Sequence, residues 1–97
     1  METLILPRGK GKTYELIKRS SSDGGEIVCQ NKVEVLRVKH EAREMGVKIP
    51  NPITYDEFIN HKYRGRNIKE FYIDNVDIFI QTLSHIPIGI ISLTTQE

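Results

Sequence analysis

The hydrophobic positions of this chain fall into two alternating kinds of pattern. Thr3-Leu4-Ile5-Leu6 is a short apolar run closed by Pro7 and two nearby glycines, which predicts a buried strand. Lys12 to Arg19 then reads as a helix with Tyr14, Leu16 and Ile17 as its apolar residues, followed by a turn-rich loop from Ser20 to Gly25. Glu26-Ile27-Val28-Cys29 predicts a second strand. A longer helix follows, capped by Asn31 with Glu34 completing a capping box, and Val35, Val38, Ala42 and Met45 form its apolar stripe. Gly46 stands where a left-handed C-cap is wanted.

The second half repeats the alternation. Val47-Lys48-Ile49 predicts a third short strand before Pro50 and Pro52. Thr54 and Glu57 form another capping-box pattern, opening a short helix that turns Phe58 and Ile59 inward. Lys62 to Asn67 reads as a basic loop. Glu70 to Ile73 predicts a strand, and Asp74 or Asn75 caps a helix with Val76, Phe79, Ile80 and Leu83 on one face. His85-Ile86-Pro87 leads into a last strand, Ile88 to Leu93. About five apolar strands interleaved with four helices predict a mostly parallel sheet covered on both faces, a small three-layer α/β/α sandwich. Residues 1–97 are accordingly expected to form one domain, since domains commonly run to ~100–150 residues.

Composition narrows the function classes. The longest apolar stretch, Ile86 to Leu93, is too short to span a bilayer, and no basic-then-apolar leader begins at Met1. A single cysteine, Cys29, excludes an intramolecular disulfide framework and a cysteine-based zinc site. The expected setting is cytoplasmic, with no membrane partner. Fourteen Lys+Arg against thirteen Asp+Glu give a net charge of +1, which does not suit a generic nucleic-acid coat. The charge is uneven, however. Residues 1–66 carry 13 basic and 9 acidic residues (+4), and residues 67–97 carry 1 and 4 (−3), so an anion is expected to meet the first part.

The candidate chemistry lies between the first strand and the first helix. Leu6-Pro7-Arg8-Gly9-Lys10-Gly11-Lys12-Thr13 resembles the phosphate-binding loop (Walker A) of P-loop nucleoside triphosphatases, G-x-x-x-x-G-K-[ST], with Leu6 in place of the first glycine. Glycines let the backbone curl its N–H groups around a phosphate, and the helix N-terminus adds partial positive charge there. The resemblance implies that Arg8, Gly9, Lys10, Gly11, Lys12, Thr13 and Tyr14 surround an ATP. In it Lys12 reaches the outer phosphates and the Thr13 hydroxyl ligates Mg²⁺. Phe71-Tyr72-Ile73-Asp74 is similar to a Walker B strand, whose acidic residue, here Asp74, holds the Mg²⁺. Lys12 and Asp74 are thus the expected catalytic pair.

The chain order further resembles one motor domain of helicase-type and phage-type P-loop ATPases. Ile53-Thr54-Tyr55-Asp56-Glu57-Phe58 looks like their Thr-Tyr/Phe segment. Ile90-Ile91-Ser92-Leu93-Thr94-Thr95-Gln96 looks like their sensor strand, with Thr94, Thr95 or Gln96 as the sensor. Two departures bear on activity. Asn75 follows Asp74 where these families commonly place a glutamate, and an amide cannot accept the proton of an attacking water at neutral pH. No segment after the sensor supplies an arginine finger in cis. The expectation is a nucleoside triphosphate-binding protein, phage- or mobile-element-related, with weak or partner-dependent NTPase activity. The alternatives are a degenerate domain that binds or mimics a helicase or replication ATPase, or a nucleic-acid accessory protein using Arg8, Lys10, Lys18, Arg19, Lys62, Arg64 and Arg66. A self-dimer in which Arg64 or Arg66 completes the neighbour's site is a further expectation.

The remaining residues of note read more simply. Cys29 ends an apolar strand as a small buried hydrophobe. His40, His61 and His85 have no partner at metal-ligand spacing. Tyr14 suits either packing between helix and sheet or stacking on a base, and Tyr63, in the basic loop, is the aromatic expected to be more exposed.

Overall fold

Three parallel strands form the centre of the structure, a computed structural model that describes residues 2–7, 9, 11–63 and 65–94. The strands are β1 (Glu26–Cys29), β2 (Ile53–Thr54) and β3 (Phe71–Ile73), in the spatial order β2-β1-β3. Val28 stands opposite Ile53 on one side and Ile73 on the other, so β1 is paired along both edges. Every residue of β1 is buried. That is why Ile27, Val28 and Cys29 are apolar in succession rather than alternating with polar residues, while buried Glu26 at the start is paired with Arg66.

Alternation of side chains across β1 splits the core in two. Ile27 and Cys29 face Ile17 of α1 (Lys12–Asp23) and Val35, Val38 and Ala42 of α2 (Lys32–Met45). Val28 faces the other way, into a cluster with Ile53, Tyr55 and Phe58 of α3 (Tyr55–Ile59) and with Ile78 and Phe79 of α4 (Val76–Thr82). Helices therefore cover both sheet faces, as the pattern predicted. Within the second cluster Phe58 meets Phe71 edge-on at 4.9 Å and Tyr55 meets Phe79 in the same way at 4.9 Å, the favoured geometry for aromatic pairs.

The sheet is smaller than the five strands expected. Residues 3–6 are irregular, with Ile5 76% exposed, and residues 88–93 are also irregular, with Ile90 90% exposed. An apolar run becomes a strand only where its backbone finds an open ladder. Here the Ile88 amide is taken instead by the Gln81 side chain at 2.8 Å, and Gln81 also donates to the Ile86 carbonyl at 3.1 Å, so this segment is tied to α4. Residues 47–49 are not a strand either. Val47 and Ile49 pack against the α1–α2 core as irregular chain, and pairing begins only at Ile53, after the two prolines that cannot donate to a ladder.

Helix boundaries differ in instructive ways. The serine run Ser20–Asp23 belongs to α1 and not to a loop, because buried Ser20 donates its hydroxyl to the Gly25 carbonyl at 2.6 Å, and the stop falls at Gly24 in the left-handed region (φ 82°). Asn31 caps α2 by accepting from the Glu34 amide at 3.0 Å, but the Glu34 side chain turns to Arg37 and leaves the capping box half formed. At α3 both halves form, Glu57 N–H to Thr54 Oγ1 at 3.1 Å and Thr54 N–H to Glu57 Oε1 at 2.9 Å. On α4 the inward residues are Ile78 and Phe79, while Val76 and Leu83 are 40% and 57% exposed.

Candidate functional site

The three strands run parallel, so their carboxyl ends lie together, and open α/β sheets bind ligands in the crevice outside those ends. Asp74 leaves the end of β3 there, with its amide donating to the Val28 carbonyl at 3.0 Å. Lys12, the first residue of α1, reaches the same place. Its Nζ donates to Asn75 Oδ1 at 2.6 Å, joining residues 63 positions apart. The expected pair, Lys12 and Asp74, is thus brought to one strand end, where Lys12 bonds Asn75 and acts on Asp74 through its charge.

Gly9 and Gly11 both adopt positive φ, 77° and 86°, and nothing crowds the position a Cβ would take at either. Their hydrogen side chains serve conformation, since L-residues adopt these angles at a cost. Gly11 is also the N-cap of α1, and no side chain caps the helix there. The first-turn amides of a twelve-residue helix therefore keep their donors, with the positive end of its dipole, for whatever enters the crevice. Thr13 is half-buried in this first turn and forms no hydrogen bond with Asp74. Arg8 and Lys10 lie outside the described residues, as do Arg64, Thr95 and Gln96.

Asp74 is 7% exposed, and its carboxylate forms no hydrogen bond among the described residues. Burial raises its pKa above the ordinary aspartate value, opposed by the positive charges of Lys12 and Arg37 and reinforced by Glu34. The neighbouring Cys29 thiol is buried and pushed up to about 12, first by burial and then by the charges of Asp74 and Glu34, so it is an inert hydrophobe. Tyr55, buried at the start of α3, donates its hydroxyl to the backbone carbonyls of Asp74 and Asn75, the latter at 3.1 Å. Its role in anchoring the end of β3 was not visible in the sequence. The Thr-Tyr pair before a strand-end acid was the only signal that could have pointed to it.

Asn75 holds φ 60° and ψ 66°, the left-handed region, and occupies the N-cap of α4 without capping it, because its side-chain oxygen is engaged by Lys12. The side chain expected to cap α4 is therefore bonded to Lys12 instead. The aromatics also exchange roles. Tyr14 is 51% exposed and does not pack between helix and sheet. Tyr63 is half-buried against Phe71 at 4.9 Å and bonded to His61 Nδ1 at 3.0 Å. Thr94, the one described sensor candidate, is exposed in irregular chain.

The basic residues proposed for nucleic acid are partly committed elsewhere. Arg19 pairs with Glu2 at 2.7 Å and Glu15 at 3.1 Å, and Arg66 pairs with the buried carboxylate of Glu26. Lys62 lines an open cleft of about 430 Å³ between the starts of α2 and α3, with Gln30, Asn31, Lys32, Thr54, Asp56 and Glu57. This cleft is polar and carries both charge signs. Lys12 and Asp74 do not line it. Among the described residues no group of three or more His, Cys, Asp or Glu could hold a metal, and no helix is long and apolar enough to cross a membrane. Comparison of the chain with family models, with curated proteins and with solved structures finds no match in any of the three.

Proposed function

We propose that this protein binds a nucleoside triphosphate with Mg²⁺, ATP being the reference ligand, at the crevice between the start of α1 and the end of β3. The observation that carries the reading is the placement of Lys12, on an uncapped helix N-terminus behind two left-handed glycines, beside the strand end where Asn75 takes its ammonium and the buried Asp74 feels its charge. An ammonium and a set of free amides suit phosphate oxygens. A carboxylate that burial leaves short of hydrogen bonds suits a cation.

Oxygen donors are the right class for Mg²⁺, which keeps several of its waters and takes few protein ligands. Thr13 and Asp74 would hold it, and the ion would neutralise charge on the outer phosphates. Lys12 orients those phosphates. Asn75 stands where a general base is commonly found, and its amide can orient a water without taking its proton. The expected hydrolysis is therefore slow unless another group supplies the base that Asn75 cannot.

Calorimetric titration of Mg·ATP into wild type and Lys12→Ala tests the reading. Micromolar binding that the substitution abolishes supports it, and no heat with either folded protein overturns it.

A second reading is a domain kept for protein interaction, docking onto a helicase or replication ATPase without hydrolysis. It is favoured by the run of exposed apolar residues Ile86, Ile88, Ile90, Ile91 and Leu93 in one irregular segment. Sedimentation of the protein alone tests one form of it, self-association. The replacement Ile90→Asp distinguishes the readings, because it weakens docking and leaves Mg·ATP binding unchanged.

A further inference from the structure

We infer that Asn75 is the resting partner of the Lys12 ammonium, set in place by the Tyr55 hydroxyl, and that a triphosphate enters by taking Lys12 away from it. The inference rests on the phosphate-loop reading and adds the regulation of that site.

Asn75 departs twice from local preference. It adopts a left-handed conformation (φ 60°) that costs a non-glycine residue free energy, although Asn tolerates it better than most. It also stands at a helix N-cap, where Asn ordinarily accepts a hydrogen bond from the first-turn amides, and it makes no such bond. Its Oδ1 accepts from Lys12 Nζ at 2.6 Å instead. Such an arrangement persists only where surrounding structure imposes it.

Tyr55 imposes it. The hydroxyl bonds both carbonyls of the Asp74–Asn75 pair, and the ring is held edge-on by Phe79 at 4.9 Å. Tyr55 is in turn the first residue of α3, directly after the complete Thr54–Glu57 capping box. The chain from cap to hydroxyl to carbonyl holds the Asn75 backbone in place, and the side chain it carries meets Lys12.

A neutral amide oxygen is a weaker partner for an ammonium than a phosphate oxygen, because the first contact joins a charge to a dipole and the second joins two opposite charges. Triphosphate binding is then an exchange of partners, and each molecule bound gives up one Lys12–Asn75 bond. Asn75 competes with the ligand although it lies in the site. Removing its amide should tighten binding, the reverse of what removing a contact residue does.

The test uses Asn75→Gly, since glycine takes φ 60° without strain and the fold is retained. The ¹⁵N-ammonium resonance of Lys12 is recorded without ligand, and Mg·ATP is titrated calorimetrically into wild type, Asn75→Gly, Asn75→Asp and Tyr55→Phe. We expect a slowly exchanging Lys12 ammonium in wild type that is lost in Asn75→Gly and broadened in Tyr55→Phe. Mg·ATP should bind Asn75→Gly about three- to tenfold tighter and Asn75→Asp more weakly than wild type, as the loss and the strengthening of one hydrogen bond imply. A Lys12 ammonium exchanging as fast as that of exposed Lys18 overturns the latch, and so does Asn75→Gly binding no tighter than wild type. In either case loss of binding in Lys12→Ala leaves the phosphate reading standing. If no variant binds Mg·ATP, the phosphate reading fails, and a protected Lys12 ammonium then marks a purely structural tether, which overturns displacement by ligand.

Discussion

The guanidinium of Arg66 meets the carboxylate of Glu26, 40 positions earlier, at the amino end of the sheet and so at the opposite end from Lys12 and Asp74. Glu26 is 2% exposed as the first residue of β1, and its second oxygen, Oε2, is buried without a partner among the described residues. The pair ties the basic loop before β3 to the central strand. Burial raises the Glu26 pKa, and Arg66 opposes that rise.

Removing Arg66 should therefore be costly in a pH-dependent way. Arg66→Ala leaves a buried carboxylate uncompensated and is expected to destabilise by about 2–3 kcal/mol. That is below the range for a fully enclosed pair, because the arginine side chain is 39% exposed. A folded-state pKa above the unfolded value means that the folded protein binds the proton more tightly. The cost of the charged form is thus absent in acid and grows as pH rises through the folded value. The difference between Arg66→Ala and wild type should shrink between pH 7 and pH ~4 in urea unfolding, and Glu26→Gln in the Arg66→Ala background should recover more than half of it.

Asp74 follows the same sign with a functional consequence. Its raised pKa means that stability is lost as pH rises above the ordinary aspartate value through the folded one. Asp74→Asn should flatten that limb and raise stability at pH 7 by about 1 kcal/mol, a rise of a few degrees in thermal midpoint. The same substitution should remove the Mg²⁺ dependence of ATP binding. A variant less stable than wild type at pH 7 would show that the carboxylate is better compensated than its hydrogen bonding indicates.

Tyr55→Phe keeps the ring against Phe79 and removes only the hydroxyl, so the Asp74 carbonyl loses its side-chain donor while the Asn75 carbonyl keeps the Phe79 amide. The expected loss is about 1–2 kcal/mol by chemical denaturation, with the slope of the transition unchanged. Phenylalanine at this position should retain the fold.

Ile17 is wholly buried between α1 and α2 and joins the helix that carries Lys12 to the sheet. Ile17→Ala should cost about 2–5 kcal/mol and Ile17→Val about 0.5–1.5 kcal/mol. With the valine variant still folded, Mg·ATP affinity should match wild type, since the helix N-terminus stays where it was. An affinity that tracks stability through this pair would point to a site that forms only as the helix docks.

Much of the local structure was legible along the chain because its causes are local. The α2 stripe of Val35, Val38 and Ala42 is buried as its spacing predicts, Gly46 is the left-handed cap it was expected to be, and the Thr54–Glu57 box forms in full. These rest on 3.6-residue periodicity and on bonds between residues three apart. The extra strands failed for the opposite reason. Residues 3–6 and 88–93 have the composition of strands, but a strand exists only in a ladder, and whether a ladder is offered depends on distant chain. The cap at α4 failed similarly, since Asn75 had a local role open to it and a lysine 63 positions away took its side chain.

What the sequence determined by itself was the alternation of strands and helices, the glycines at left-handed positions and the candidate residues Lys12, Thr13 and Asp74. Backbone conformation and short-range capping follow from a few neighbouring side chains. Tertiary structure alone decided that the described residues form a sheet of three strands in the order β2-β1-β3, that the Asp74 carboxylate is buried with no hydrogen bond among the described residues, and that Tyr55 and Asn75 meet the end of β3 and Lys12. Those facts depend on which distant groups compete for the same donors and acceptors, and that competition is settled only when the packed chain brings them within reach.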